Sequence, residues 1–199
     1  MKVHGPETMA TTHVSPSPQR PHPDSSLRRW IALGLASVGL LFGLKTHLGF
    51  VLVDGDSMLP TFQSGDLLLI HKRAYRQAPP ARGDIVVSRF RSELIVKRIV
   101  GLPSETVEVV DGKVRVNGSP IPERYPLQPG TLNVRPGELM PERFAVLGDN
   151  RAGSDYQLFF GVVAREGIVG RTVLAFRLRG GERHCWIPQI PEPVGSGPT

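Results

Sequence analysis

Thr106-Val107-Glu108-Val109-Val110-Asp111-Gly112-Lys113-Val114-Arg115-Val116 decides the fold class. On both sides of Asp111-Gly112, valine alternates with polar residues, the two-residue period of a half-buried strand. Asp and Gly accept the positive φ that a two-residue turn demands, so the stretch reads as a β-hairpin. Asn117-Gly118 supplies a second turn directly after it.

Outward from this hairpin, short runs rich in Val, Ile, Leu and Phe recur at 50–54, 67–71, 85–90, 94–100, 144–147 and 170–179. Gly, Pro or Asp signals separate them, so they read as further strands. The chain of 199 residues, with 22 Gly and 19 Pro, is long enough for one domain with a real core plus tails. The expected fold class is mainly β, a compact and largely antiparallel sheet structure. The one cysteine, Cys185, excludes an internal disulfide framework.

The net charge of +6 is spread along the chain. No basic block with interleaved aromatics appears, which argues against a nucleic-acid partner. Residues 1–29 contain five prolines and almost no large apolar side chains, so they bury too little to offset the entropy of ordering and read as a disordered tail. His4, His13 and His22 lie in this tail without metal-ligand spacing. Residues 30–44 are then apolar until Lys45. A lysine near a helix end reaches the headgroups, so residues 30–50 read as a single transmembrane helix in contact with membrane lipid. Arg28 and Arg29 before it favour a cytoplasmic amino terminus, with the body on the outer face of the plasma membrane. A cleavable leader and a buried core helix are the competing readings. Residues 51–180 would form the folded domain and 181–199, with four prolines after Trp186, a flexible tail.

Chemistry centres on Val53-Asp54-Gly55-Asp56-Ser57-Met58-Leu59-Pro60-Thr61, where a serine sits between a glycine-bearing turn and a Met-Leu-Pro constraint. A serine hydroxyl needs a base. His47, His71 and His184 sit in no triad motif, and Gly55-x-Ser57 lacks the second glycine of a nucleophile elbow. Lysines are few, and Lys97 stands in the strand Leu94-Ile95-Val96-Lys97-Arg98-Ile99-Val100, sharing a face with Ile95 and Ile99 while Arg98 takes the other. Apolar surroundings lower an ammonium pKa; neutrality at pH 7 requires a fall from about 10.4 to about 7, on the order of 4 kcal/mol. The bland alternative is a lysine that merely snorkels from a half-buried strand. Leu147-Gly148-Asp149-Asn150-Arg151-Ala152-Gly153-Ser154-Asp155 adds Ser154, whose hydroxyl could orient the lysine, and Asp149, which could pair with Arg98. Its plain alternative is a loop. No zinc spacing or phosphate loop appears, so neither metal nor cofactor is expected.

These stretches together resemble the type I signal peptidases, membrane-anchored serine proteases of the Ser/Lys class. Residues 53–61 are similar to the family's nucleophile box. Arg82-Gly83-Asp84-Ile85-Val86-Val87 is similar to a structural box, and Val96-Lys97-Arg98-Ile99-Val100-Gly101-Leu102-Pro103 to the general-base box. Gly148-Asp149-Asn150-Arg151 through Gly161 is similar to the final box, and the similarity runs from about 50 to 170 in the family's order. The resemblance implies the signal-peptidase/LexA-like fold, with Ser57 as nucleophile, Lys97 as general base and Ser154 positioning the lysine. It implies support from Asp149 and Arg98 and substrate contacts at Gly55, Met58 and Ile95. Some members carry a serine where Gly55 stands, so the oxyanion would rest on the Ser57 N–H or another donor. In the final box the family's later aspartate and arginine positions are Tyr156 and Leu158 here. The implied activity is cleavage of preprotein signal peptides after small-x-small motifs, with no cofactor. The open alternatives are a peptidase that matures a single partner, an inactive signal-peptide binder and, ranked low, a self-cleaving repressor.

Overall fold

A computed structural model describes residues 25–152, 160–179 and 182–188. The chain divides into two compact units, 1–41 and 42–199.

Helix α1, Ser25–His47, opens inside the stretch expected to be disordered. Trp30, Ile31, Leu33, Leu35 and Val38 on it are all exposed. The expected helix at 30–50 ends early, because Leu48–Leu52 forms strand β1 and pairs with β2 (Leu67–His71) in the register Leu48↔His71 to Leu52↔Leu67. The backbone of 48–50 has an antiparallel partner there, which outweighs continuing the helix. Lys72 Nζ donates to Lys45 O at 3.1 Å, satisfying one of the carbonyls a helix end leaves open. Among the described residues, no helix is long and apolar enough to cross a membrane.

The remaining strands are β3 (Ile85–Phe90), β4 (Glu93–Gly101), β5 (Thr106–Val110), β6 (Lys113–Val116), β7 (Ser119–Pro120), β8 (Val134–Glu138), β9 (Arg143–Leu147), β10 (Phe160–Ala164), β11 (Ile168–Arg179) and β12 (Glu182–Trp186). The larger sheet runs β1-β2-β11-β3-β4-β9-β10, with β12 added to β11. The smaller runs β7-β6-β5-β8. Every pairing between named strands is antiparallel, as the composition and turn signals imply.

Asp111 and Gly112 both hold positive φ, +48° and +73°, and close β5 onto β6 with Val107↔Val116 and Val109↔Val114 in register. Asn117 and Gly118 turn β6 into β7 in the same way. Val107, Val109, Val114 and Val116 of the hairpin meet Val100, Ala145 and Leu147 of the larger sheet in one buried cluster with Leu132 and Leu139. Gly101 makes this approach possible: a Cβ there would stand 2.4 Å from Val107 Cγ2 and 2.9 Å from Ala145 Cβ.

Of the flexible tail expected at 181–199, the stretch 182–186 is corrected by β12, which pairs with the end of β11 from Ala175↔Trp186 to Arg179↔Glu182, whereas 189–199 lie outside the described residues. The Trp186 ring lies 6.2 Å from that of Phe62, and the Arg177 guanidinium lies 5.0 Å from the Trp186 ring centre. An aromatic anchor and a cation on its face favour order despite a polar strand sequence.

Candidate active site

Ser57 stands in the loop that follows β1. The base of that loop is tied by Val53 N to Asp66 O at 2.8 Å and Gly65 N to Val53 O at 2.9 Å. At its tip Leu59 N donates to Asp56 O at 3.1 Å, closing a tight turn around Ser57, and Phe62 N donates to Met58 O at 2.9 Å. Gly55, at φ +93°, takes the backbone conformation that side chains resist and so lets the chain enter this turn. Met58 and Phe62 are buried with Val53, Leu68, Ile85 and Ala175, so the loop is anchored by two large side chains that follow the serine.

Lys97 comes from the middle of β4, opposite Val86 of β3. Its side chain is buried, and Nζ lies 2.5 Å from Ser57 Oγ. Burial lowers the ammonium pKa to about 8, against the opposing pull of the Asp149 carboxylate. A fraction of about a tenth is therefore the free amine at pH 7, and half at pH 8. A free amine at this distance can take the hydroxyl proton.

Asp149 and Asn150 follow β9 and organise both partners. Arg98, next to Lys97, binds Asp149 through both carboxylate oxygens. Thr61, four residues after Ser57, donates its hydroxyl to Asp149 Oδ2 at 2.5 Å. Asn150 N donates to Ser57 O at 3.1 Å, and Asn150 Nδ2 to Asp56 O at 3.0 Å. The strand carrying Lys97 and the loop carrying Ser57 are thus pinned to one pair of adjacent residues.

Behind them the Arg98 guanidinium lies 3.9 Å from the Tyr125 ring centre. Tyr125 Oη donates to Glu123 Oε1 at 2.6 Å, and Glu123 also receives Arg151 Nη2 at 2.5 Å. Burial, then the neighbouring Glu123 carboxylate, pushes the Tyr125 phenol well above its ordinary value. Arg151 is lowered by burial, but its bonds to Glu123 outweigh this and its pKa is raised. Both groups keep their protons throughout the range in which Lys97 titrates.

A cleft of about 580 Å³ is lined by residues 50–58 and 93–97, which brings Gly55, Ser57, Met58, Ile95 and Lys97 together. Ser154, expected beside the lysine, lies outside the described residues, as do Tyr156 and Leu158. Thr61, Asn150, Glu123, Tyr125 and Arg151 had no assigned role in the sequence reading. Thr61 and Asn150 lie within the motifs and adjacency was their only signal, whereas nothing near Glu123 or Tyr125 marks them. Among the described residues no group of three or more His, Cys, Asp or Glu is placed to hold a metal ion.

A family model described as signal peptidase, peptidase S26, matches residues 27–177. Signal peptidase I of Leptolyngbya laminosa is 36% identical over 180 residues, covering 85% of this chain and 89% of that protein. Probable signal peptidase I-2 of Synechocystis is 35% identical, covering 74% of this chain and 73% of that protein. A crystal structure of a signal peptidase I from Enterococcus faecalis shares 29% identity at a TM-score of 0.35, covering 46% of this chain and 95% of that one. With a family match over three quarters of its length, the chain belongs to the signal peptidase family, peptidase S26.

Proposed function

We propose that the chain is a membrane-anchored serine endopeptidase that removes signal peptides from exported preproteins, with Ser57 as nucleophile and Lys97 as general base. The observation that carries this reading is the 2.5 Å approach of Ser57 Oγ to a buried Lys97 Nζ in an open cleft. Membership of the signal peptidase family supports the substrate class.

The neutral Lys97 amine takes the Ser57 proton as Oγ attacks the scissile carbonyl. The resulting ammonium protonates the leaving amine, and the amine then activates the water that hydrolyses the acyl-enzyme. A serine with one lysine needs no metal for these steps. Ser154 is assigned the further role of orienting Lys97, on the family resemblance alone.

The substrate is proposed to lie extended in the cleft. β4 pairs with β9 only from Arg98 onward, so the stretch 93–97 has β3 on one side and cleft on the other. Its free backbone groups suit an added strand. The two small side chains that precede the scissile bond would fit beside Gly55, Met58 and Ile95, giving the small-x-small preference.

The anchor is assigned to the apolar run at 30–44, flanked by Arg28, Arg29 and Lys45. Its length falls short of the about 20 residues a span needs, and the lysine stem extends it. The amino terminus would then be cytoplasmic and the cleft external.

Incubating detergent-solubilised wild type, Ser57→Ala and Lys97→Ala with a preprotein tests the chemistry. Cutting after small-x-small by wild type alone is expected, with each substitution lowering the rate at least about 10³-fold. Binding without cutting by wild type would favour a signal-peptide binder with an altered final box. Fractionation with an amino-terminal tag tests the anchor: the tag should pellet with membranes and resist external protease.

A further inference from the structure

An oxyanion forms when Ser57 attacks, and it needs a donor. Some family members carry a serine at the position of Gly55, which here has no side chain to offer. We propose that Asn150 is the positioning residue for the oxyanion site, acting by turning the peptide groups on either side of Ser57.

The geometry is specific. Asn150 holds two successive carbonyls, Asp56 O through its side-chain Nδ2 and Ser57 O through its backbone N. In a trans peptide the carbonyl and the following N–H point in opposite directions. Drawing the Asp56 carbonyl toward Asn150 therefore turns the Ser57 N–H away from Asn150. Drawing the Ser57 carbonyl the same way turns the Met58 N–H to the side of the Ser57 N–H. Two successive N–H groups facing together form a concavity that binds anions. Both residues line the cleft.

The nucleophile's own N–H is also the donor nearest the carbon it attacks, which is why serine hydrolases of unrelated folds use it. A donor of this kind acts only if it is aimed before the reaction. Asp56 O accepts from Leu59 N as well, so the turn and the asparagine agree on one orientation of that peptide. Asn150 is itself held: Oδ1 accepts Ala152 N at 3.0 Å, which sets the amide so that Nδ2 faces Asp56. Its neighbour Asp149 is locked by Arg98 and Thr61. Asn150 touches neither Lys97 nor the attacking oxygen in any of these bonds, so its effect runs through the oxyanion and not through the base.

The two functions of the side chain separate by substitution. Asn150→Asp keeps an oxygen for the Ala152 N–H but loses the donor to Asp56 O; Asn150→Ala loses both. With full-length protein in detergent micelles, kcat and KM are measured on a preprotein across the pH range around the Lys97 pKa. Binding of a peptide aldehyde, which adds to Ser57 and forms an oxyanion, is compared with that of an uncleavable peptide of the same sequence. Both variants should lose on the order of 10- to 100-fold in kcat with KM nearly unchanged. In Asn150→Ala the acid limb should stay at the wild-type pH. Aldehyde affinity should fall with kcat while the uncleavable peptide binds as before. That comparison is a ratio on one preparation, so partial unfolding does not alter it.

An active Asn150→Asp beside an inactive Asn150→Ala would assign the residue to the 150–152 turn and overturn the proposal. Equal losses for the two ligands, or wild-type kcat in both variants, would do the same. The inference rests on the serine assignment, and Ser57→Ala separates the two. If Ser57→Ala cuts, both fall; if it is inactive while the Asn150 variants cut normally, this inference alone falls.

Discussion

Arg98 holds Asp149 by two parallel hydrogen bonds, Nε to Oδ1 at 2.8 Å and Nη2 to Oδ2 at 2.7 Å, with neither side chain exposed. Arg98 also donates to Gly83 O at 2.9 Å, and the carboxylate takes the Thr61 hydroxyl. A strand, a turn and the serine loop therefore meet on one ion pair shielded from water.

Removing one partner of such a pair leaves the other charge buried. Arg98→Met should cost about 3–5 kcal/mol of stability, read from denaturant unfolding. Arg98→Lys should recover little, because a point-like ammonium cannot reproduce the two-pronged fork or the stacking on Tyr125. The double variant Arg98→Met with Asp149→Leu should be less destabilised than Arg98→Met alone. A sum of the two single losses in the double variant would deny the coupling.

The pH dependence follows from Lys97. As the proposed general base its amine acts only when neutral, so kcat/KM should rise with pH, tenfold per unit, and level off above about 8. A profile flat down to pH 6 would separate the rate from this lysine.

Stability has its own sign. The folded pKa, about 8, lies below the ordinary 10.5, so between these values the unfolded chain holds more protons and stability rises with pH. Below about pH 8 the whole penalty applies, on the order of 3 kcal/mol. Lys97→Met should be inactive and yet have a higher Tm than wild type at pH 7, with the gain shrinking as pH approaches 10.5. A lower Tm for the variant at pH 7 would contradict the cost of burying this charge.

Gly130 tests the backing of the site. A Cβ there would stand 1.8 Å from Arg151 O, a backbone atom that cannot rotate aside. Gly130→Ala should displace the segment that carries Asp149 and Asn150, costing about 3 kcal/mol and most of the turnover. Thermal melts and kcat on one preparation check both effects.

Trp186 tests the carboxyl-terminal strand. Phe62, on which it packs, donates its N–H to Met58 O beside the serine. Trp186→Ala should cost about 2 kcal/mol and lower kcat several-fold, whereas Trp186→Phe should retain most of both.

Much of the sheet was legible because its signals are local. Alternating valines and the Asp111-Gly112 turn specify the hairpin from neighbouring residues alone, and the expected bounds of β2, β3, β5 and β6 match the strands observed. β8 is different: Val134-Arg135-Pro136-Gly137-Glu138 carries two strand-breaking residues and pairs because β5 lies beside it, Thr106↔Glu138. β12 likewise takes a polar sequence into the sheet through its partner β11 and the seat of Trp186.

The amino-acid sequence by itself determined the β class, the turns and the motif residues, since propensity and φ requirements act over a few neighbouring positions. Tertiary structure alone decided which of those residues touch. Ser57 and Lys97 are 40 positions apart, and Thr61 and Asp149 are 88 apart. No local preference encodes such distances; they follow from how the sheet closes around its core. The same packing removes water from Lys97 and leaves Asn150 facing the two carbonyls beside Ser57, so burial and direction, the quantities on which the proposed chemistry depends, come from the folded whole.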